Sequence, residues 1–373
     1  MKKPAVTPAS GVSLAPSAFS AVLFYCRPGF EKEMAQEITD RGAELAVFGY
    51  VKAKPDSGYV LFVPHQQEDM AILMDKLRWK RLVFARQLVF VAPLDGDLPT
   101  TDRVTPLLAR AKSLGCAFSS LQVETADTNE AKELLAFCRK FSTPFTRALE
   151  KAGLLQPEAA DLPWLHLFFL GSAAAYVGVS FPGNHSGWFM GIPRLRMPRA
   201  APSRSTLKLA EALLELVGER HLDNLFHAGL TAVDLGAAPG GWTWQLVQRE
   251  LNVTAIDNGP MDPALMASGQ VEHLRVDGFH YHPKRPVDWL VCDMVESPSR
   301  IAGVMGEWLA SGWCRQALFN LKLPMKKRYD ELERCRDIMD ARLAEAGIKY
   351  RLDFKQLYHD REEVTGYLRP VKG

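Results

Sequence analysis

No apolar run in this 373-residue chain approaches the roughly 20 residues that cross a bilayer. The opening MKKPAVTPASGVSLAPSAFS carries two lysines but not the continuous apolar core of a secretion signal. Its Ala, Ser and Pro content predicts a disordered leader over residues 1–19. Paired cysteines are missing too: the six present (Cys26, Cys116, Cys138, Cys292, Cys314, Cys335) are scattered, and none forms a C-x-x-C. Such spacing favours reduced, buried thiols over a disulfide frame or a zinc site. A cytoplasmic protein without a metal is expected. Strong net charge is also lacking. At +2 the chain does not announce a polyanionic partner by global charge.

What is there is ordinary in amount and uneven in placement. Hydrophobic residues make up 47% and charged residues 24%, enough for globular cores, and the length suits two or three domains. Between Asp161 and Glu211 there is no acidic residue, while Arg194, Arg196, Arg199, Arg204 and Lys208 all fall inside. Lys76, Arg78, Lys80, Arg81 and Arg86 form a second basic group, and Lys326-Lys327-Arg328 a third. Cations clustered near Trp79 and Trp188 suit a phosphate backbone with bases beside it.

The first half alternates strand-like runs (21–27, 59–64, 87–93, 120–125) with helical ones. One helix is expected to stop at Gly42, and a long one from Asn129 to break or bend near Pro144. WLHLFFL and AAYVGVS close the unit around Gly171-Ser172. Residues 181–203, FPGNHSGWFMGIPRLRMPRAAPS, hold four prolines and three glycines without a period and read as a basic linker. The domain plan is therefore a leader (1–19), a smaller α+β N-terminal domain (20–180), the linker (181–203) and a C-terminal domain (204–373). In that last part, near-continuously apolar strands alternate with helices. The fold class is a doubly wound, Rossmann-like α/β sheet with its ligand at the carboxyl ends of the strands.

Asp234-Leu235-Gly236-Ala237-Ala238-Pro239-Gly240-Gly241-Trp242 lies where the first strand of that sheet turns into a helix. Small residues there let a ligand approach the backbone. Asp257 ends the next strand, placed to accept from a ribose diol; Asp277-Gly278 and Asp293 end the two after it. A nicotinamide dinucleotide needs G-x-G-x-x-G, and Ala238 stands at the second glycine's place. S-adenosylmethionine has no pyrophosphate and makes no such demand.

DLGAAPGGWTW resembles the cofactor motif of the FtsJ-like ribose 2'-O-methyltransferases, and Ser203-Arg204-Ser205-Thr206-Leu207-Lys208-Leu209 is similar to that family's S-R-x-x-x-K-L entry. The resemblance implies S-adenosylmethionine as cofactor, held by Ser205, Asp234, Gly236, Ala238, Pro239, Gly240, Gly241, Trp242, Asp257, Asp277 and Asp293. It implies a Lys-Asp-Lys-Glu working set: Lys208, Asp293, Lys322 and a glutamate that is Glu362 or Glu363, with Glu363 preferred because it precedes the run VTGYL. At whole-chain scale it further implies a THUMP-type RNA-binding N-terminal domain. The substrate would be a cytidine ribose in the peptidyl-transferase region of 23S ribosomal RNA. No segment looks like a dedicated dimer surface, so a monomer is expected.

Rival readings leave different marks. Carbon-5 pyrimidine methylation needs a nucleophilic cysteine, commonly after proline, and no Pro-Cys pair occurs. Amino-nitrogen chemistry uses an Asn/Asp-Pro-Pro-aromatic run where this chain reads Asp293-Met294-Val295-Glu296. An RNA-binding assembly factor with a degenerate methyltransferase domain would not need the intact acids. His280-Tyr281-His282 offers an i,i+2 histidine pair without a third ligand, and a loop is the plainer reading.

Overall fold

A computed structural model of the chain describes residues 14–371. The chain divides into two compact units after Ile192. None of the described helices is long and apolar enough to cross a membrane.

The first unit runs β1 (Ala21–Tyr25), α1 (Glu31–Glu44), β2 (Gly49–Ala53), β3 (Tyr59–Pro64), α2 (Asp69–Lys76), β4 (Gln87–Val91), α3 (Val104–Ser113), β5 (Ser120–Thr125), α4 (Lys132–Lys151), β6 (Trp164–Gly171) and β7 (Ala174–Ser180). One seven-stranded sheet takes all its strands in the order β2-β3-β1-β4-β7-β6-β5. β1 and β4 are buried along their whole length because they are central, which is why AVLFY and the LVFV that follows Gln87 are apolar without alternation.

Several expectations are corrected here. Of the leader, residues 1–13 lie outside the described residues. Pro16–Ala18 form a 3₁₀ turn and Phe19 is buried against Phe90, so the last part of the stretch is packed. Helix α1 continues through Gly42 to Glu44, and α4 runs through Pro144. In α4, Phe137, Phe141 and Phe145 stack at i,i+4 spacing, a packed face that outweighs the one backbone donor proline lacks. The expected linker is shorter than 181–203. Asn184 accepts from Trp79 N and donates to Leu77 O, and Met190 and Ile192 are buried, which makes 181–192 part of the first unit.

The second unit runs α5 (Thr206–Ala212), a π-helical turn (Leu213–Gly218), α6 (Glu219–Leu225), β8 (Thr231–Leu235), α7 (Gly241–Val247), β9 (Asn252–Ile256), α8 (Pro263–Met266), β10 (Val271–Leu274), β11 (Trp289–Cys292), α9 (Pro298–Ala310), β12 (Ala317–Lys322), α10 (Arg328–Glu345), β13 (Tyr350–Lys355) and β14 (Glu363–Pro370). Its sheet order is β10-β9-β8-β11-β12-β14-β13. The first five strands are parallel, as doubly wound sheets require. β14 is antiparallel and wedged between β12 and β13, a reversal that apolarity alone does not disclose. Its cause is length: residues 356–362 are too few for a parallel crossover, which takes about a dozen or more.

Order changes direction around β8, with β9 on one side and β11 on the other. Ligands of such sheets bind at that switch, beyond the carboxyl ends. The core beneath it includes Trp242, Leu246, Val253, Trp289 and Val291.

Candidate active site

Lys208, Asp293, Lys322 and Glu363 reach one cavity of 590 Å³ from four different elements. Lys208 lies on α5, which is held from two directions. Gln245 of α7 donates to Thr206 Oγ1 at 2.9 Å, and buried Glu211 accepts from the Tyr358 and His359 amides at 2.8 Å each. Asp293 is the first residue after fully buried β11. Lys322 ends β12 and Glu363 begins β14, and the antiparallel register sets these two directly opposite. A slip of one residue in either strand would turn its member of the pair to the other face of the sheet.

The four groups form a compact charge cluster. Lys208 Nζ is 2.6 Å from Glu363 Oε2 and 3.4 Å from Asp293 Oδ2. Lys322 Nζ donates to Asp293 Oδ1 at 2.8 Å and to its backbone carbonyl at 3.1 Å, and lies 3.7 Å from Glu363 Oε1. Two ammoniums against two carboxylates leave the cluster formally neutral, which a largely desolvated site favours. Burial works against charge on Lys208, yet Asp293 and Glu363 outweigh it and hold the ammonium above its ordinary value. Glu362 is not part of this group: it is largely exposed and pairs with Arg328.

The rest of the cavity is the glycine loop and what faces it. Gly236, Ala238, Pro239 and Trp242 line it, with Ser205, Asp257, Asp277 and Asp293. Gly236 has φ +78°, and a Cβ there would lie 2.8 Å from Met294 Cγ. No larger residue fits. Asp257 accepts from the Ala238 and Gly259 amides, which fixes its carboxylate at the cavity wall with lone pairs to spare. Asp277 stands three residues beyond β10, in a loop rather than at a strand end, and accepts from Phe279 N and His280.

Three expected cofactor contacts do not line the cavity. Asp234 is within β8, not at its end, and is fully buried; Thr243 donates to its Oδ2 at 2.6 Å, and Oδ1 has no partner among the described residues. Burial, with Asp293 and Asp257 nearby, pushes it up to about 7 despite the Thr243 bond. Gly240 and Gly241 support the loop from behind. A Cβ on Gly241 would meet Ser205 Oγ at 2.2 Å and Ser203 Oγ at 2.3 Å, so it is the glycine that lets the SRSTLKL segment lie against the loop.

Other cavity residues went unread in the sequence. Ile256, Val276, Phe279, Met294 and Val295 give it an apolar side. Phe279, two residues after Asp277, was the one most open to discovery. Asn320 and Thr365 lie behind the charge cluster; each is two positions from a named residue on the same strand face, and that period-2 signal would have found them.

The basic groups fare unevenly. Arg194, Arg196, Arg199 and Arg204 are exposed, as are Lys326 and Lys327, whereas Arg86 is buried against Asp127. Trp79 is buried and donates to the Ala85 carbonyl, so it presents no face to a base; Trp188 remains 40% exposed. His280 pairs with Asp277 while His282 stacks on Trp313. Cys292 beside Asp293 is a core thiol that burial pushes up to about 12. In the first unit Ser180, His166 and Glu124 are linked as in a hydrolase triad, but all three are wholly buried and bind strands together.

The FtsJ-like methyltransferase family matches residues 201–313, the stretch that holds the glycine loop, Lys208 and Asp293. Two further matches cover the first unit: the RlmM ferredoxin-like domain over residues 19–89, and the N-terminal region of the ribosomal RNA large subunit methyltransferase M over 102–181. Relatives called ribosomal RNA large subunit methyltransferase M resemble the whole chain. That of Methylococcus capsulatus is 56% identical over 94% of this chain and 99% of its own length, and that of Thauera aminoaromatica 52% identical over 97% and 98%. The chain belongs to the ribosomal RNA large subunit methyltransferase M family. Residues 20–180, expected as one THUMP-type domain, are covered by two family domains, the first of them ferredoxin-like. Among solved structures, TrmN from Thermus thermophilus aligns over 94% of this chain and 99% of its own, at 16% identity and a TM-score of 0.35. That likeness is too slight to add to the assignment.

Proposed function

We propose that this protein transfers the methyl group of S-adenosylmethionine to a ribose 2'-hydroxyl of 23S ribosomal RNA, at a cytidine of the peptidyl-transferase region, in the cytoplasm. The observation that carries the reading is the convergence of Lys208, Asp293, Lys322 and Glu363 on the cavity that the glycine loop also lines.

The residues present fit the cofactor. A volume of 590 Å³ lies within the usual range for a small-molecule site. Gly236 leaves room for close backbone approach, Asp257 offers acceptor lone pairs to a ribose diol, and Ile256, Val276 and Phe279 offer an apolar slot to an adenine. When bound, the cofactor supplies an electrophilic methyl on a sulfonium.

The protein's own groups then have separable tasks. Lys322 uses two donors on Asp293 and has a third for the ribose oxygen, which it aims at the methyl. In-line alignment of that kind lowers much of the barrier. The hydroxyl proton becomes acidic only as the new oxygen–carbon bond forms, so it leaves late and a nearby carboxylate suffices to take it. Lys208, kept charged by Asp293 and Glu363, fixes both carboxylates. Arg194, Arg196, Arg199 and Arg204 would meet the RNA backbone, and the N-terminal unit would also bind RNA.

Nucleoside mass spectrometry after incubating the protein with cofactor and 23S RNA tests the reading. The expected product is cytidine methylated on the sugar. Methylation on the base, or none, rejects it.

A further inference from the structure

Asn320 is fully buried on β12, on the same strand face as Lys322. It donates from Nδ2 to Asp293 Oδ1 at 3.1 Å and accepts at Oδ1 from Thr365 Oγ1 at 2.7 Å. Turning the amide over would set its carbonyl oxygen against a carboxylate, so this orientation is fixed by charge.

A hydroxyl has one hydrogen, and that of Thr365 is committed to the shorter contact, with Asn320. Yet Thr365 Oγ1 also lies 3.0 Å from Asp360 Oδ2. Two acceptor oxygens at that distance repel unless a hydrogen stands between them, and the only remaining source is Asp360 itself. We infer that Asp360 is a neutral carboxylic acid, the first donor of a one-way chain from Asp360 through Thr365 and Asn320 to Asp293. The chain's task is positioning: it holds Asp293 so that both lysines find it.

The surroundings agree. Asp360 is 1% exposed, receives the Leu357 amide on Oδ2 at 3.1 Å, and has no partner on Oδ1 among the described residues. Burial raises it well above the ordinary carboxylate range, followed by the negative charges of Glu363 and Glu211; the Leu357 bond and Lys208 oppose this. Lys208 does not free it, being already engaged by Asp293 and Glu363, and neighbouring His359 is held by Glu211.

The inference rests on the methyltransfer reading for its kinetic part only. In the full chain, Asp360→Asn replaces the acid's O–H by an amide N–H and is expected to keep kcat within a few-fold of wild type. Thr365→Val is expected to lower kcat about 10–100-fold, the usual scale for groups that orient a functional residue, with the cofactor KM unchanged and recovery in Thr365→Ser. A collapse in Asp360→Asn, with cofactor affinity and melting temperature intact, overturns the inference. Difference infrared spectroscopy reads the proton without activity. Recorded above pH 8, where Asp234 is ionised, wild type should show a protonated-carboxyl C=O band that Asp360→Asn lacks. A wild-type spectrum without that band overturns the inference alone, whereas a wild type that forms no sugar-methylated product overturns the functional reading instead.

Discussion

Lys322 and Glu363 stand opposite each other across the β12–β14 ladder, and their neighbours on the same face, Asn320 and Thr365, are the next such pair. The antiparallel register thereby delivers an ammonium, a carboxylate, an amide and a hydroxyl to one patch beside Asp293. Removing a member of the front pair should show in kcat. Lys322→Ala is expected to lower kcat by at least about 100-fold, the lower end for proton-handling and orienting groups, with cofactor affinity retained. Glu363→Gln should lose activity as well, while Glu362→Gln, which alters only the partner of Arg328, should not. Single-turnover methyl transfer reads both; a near wild-type Lys322→Ala would remove that lysine from the mechanism.

Gly241 tests the loop from behind. A methyl there collides with Ser203 Oγ and Ser205 Oγ, which already bond each other at 2.7 Å. Overpacking of this kind costs about 1–3 kcal/mol. Gly241→Ala should lower the melting temperature and weaken cofactor binding roughly tenfold, as about 1.4 kcal/mol would. Calorimetric titration with the cofactor measures the second effect, and an unchanged affinity would mean the SRSTLKL segment shifts without consequence.

Asp234 gives a stability signature in the cofactor-free protein. The folded chain binds its proton more tightly than an unfolded one, with a value near 7 against 3.8. Asp234's own contribution to stability should therefore be greatest below about pH 4, fall as pH rises towards 7, and level off above, by up to roughly 4 kcal/mol. Asp234→Asn lacks this titration. The melting temperature of wild type should drop relative to the variant across that window, and parallel curves would count against a buried proton at Asp234.

Arg196 and Arg199 are exposed and lie in the stretch between Asp161 and Glu211, which contains no acidic residue. Alanine at either is expected to raise the KM for RNA while leaving kcat alone. The slope of log affinity against log salt should shrink by about one for each phosphate no longer engaged. Binding measured at several salt concentrations decides it, and an unchanged slope would place the RNA elsewhere.

Much of the second unit could be read in advance because its central strands β8, β11 and β12 are buried almost throughout, and Asp293 and Lys322 mark where two of them end. DLGAAPGG, VDWLVCD and QALFNLK announced both the sheet and the site. The antiparallel β14 was less visible, since apolarity does not encode strand direction; only the short 356–362 connection does. Asp234 was misread for a related reason. A carboxylate one residue before a strand's end points into the core instead of the cavity, and alternation, not position in a motif, decides which. The linker misled through composition. Prolines and glycines at 181–192 suggested freedom, but Asn184, Met190 and Ile192 make specific contacts that no single-residue tendency reveals.

Because β14 separates β12 from β13, the sheet is not assembled in the order in which it is synthesised. Until β14 emerges from the ribosome, β13 lacks the neighbour it pairs with in the folded sheet, and Lys322 lacks its counter-charge across the ladder. A nascent chain can thus complete its glycine loop while the four-group charge cluster is still unbuilt. Glu363 reaches Lys208 and Lys322 only with the strand that joins β12 to β13.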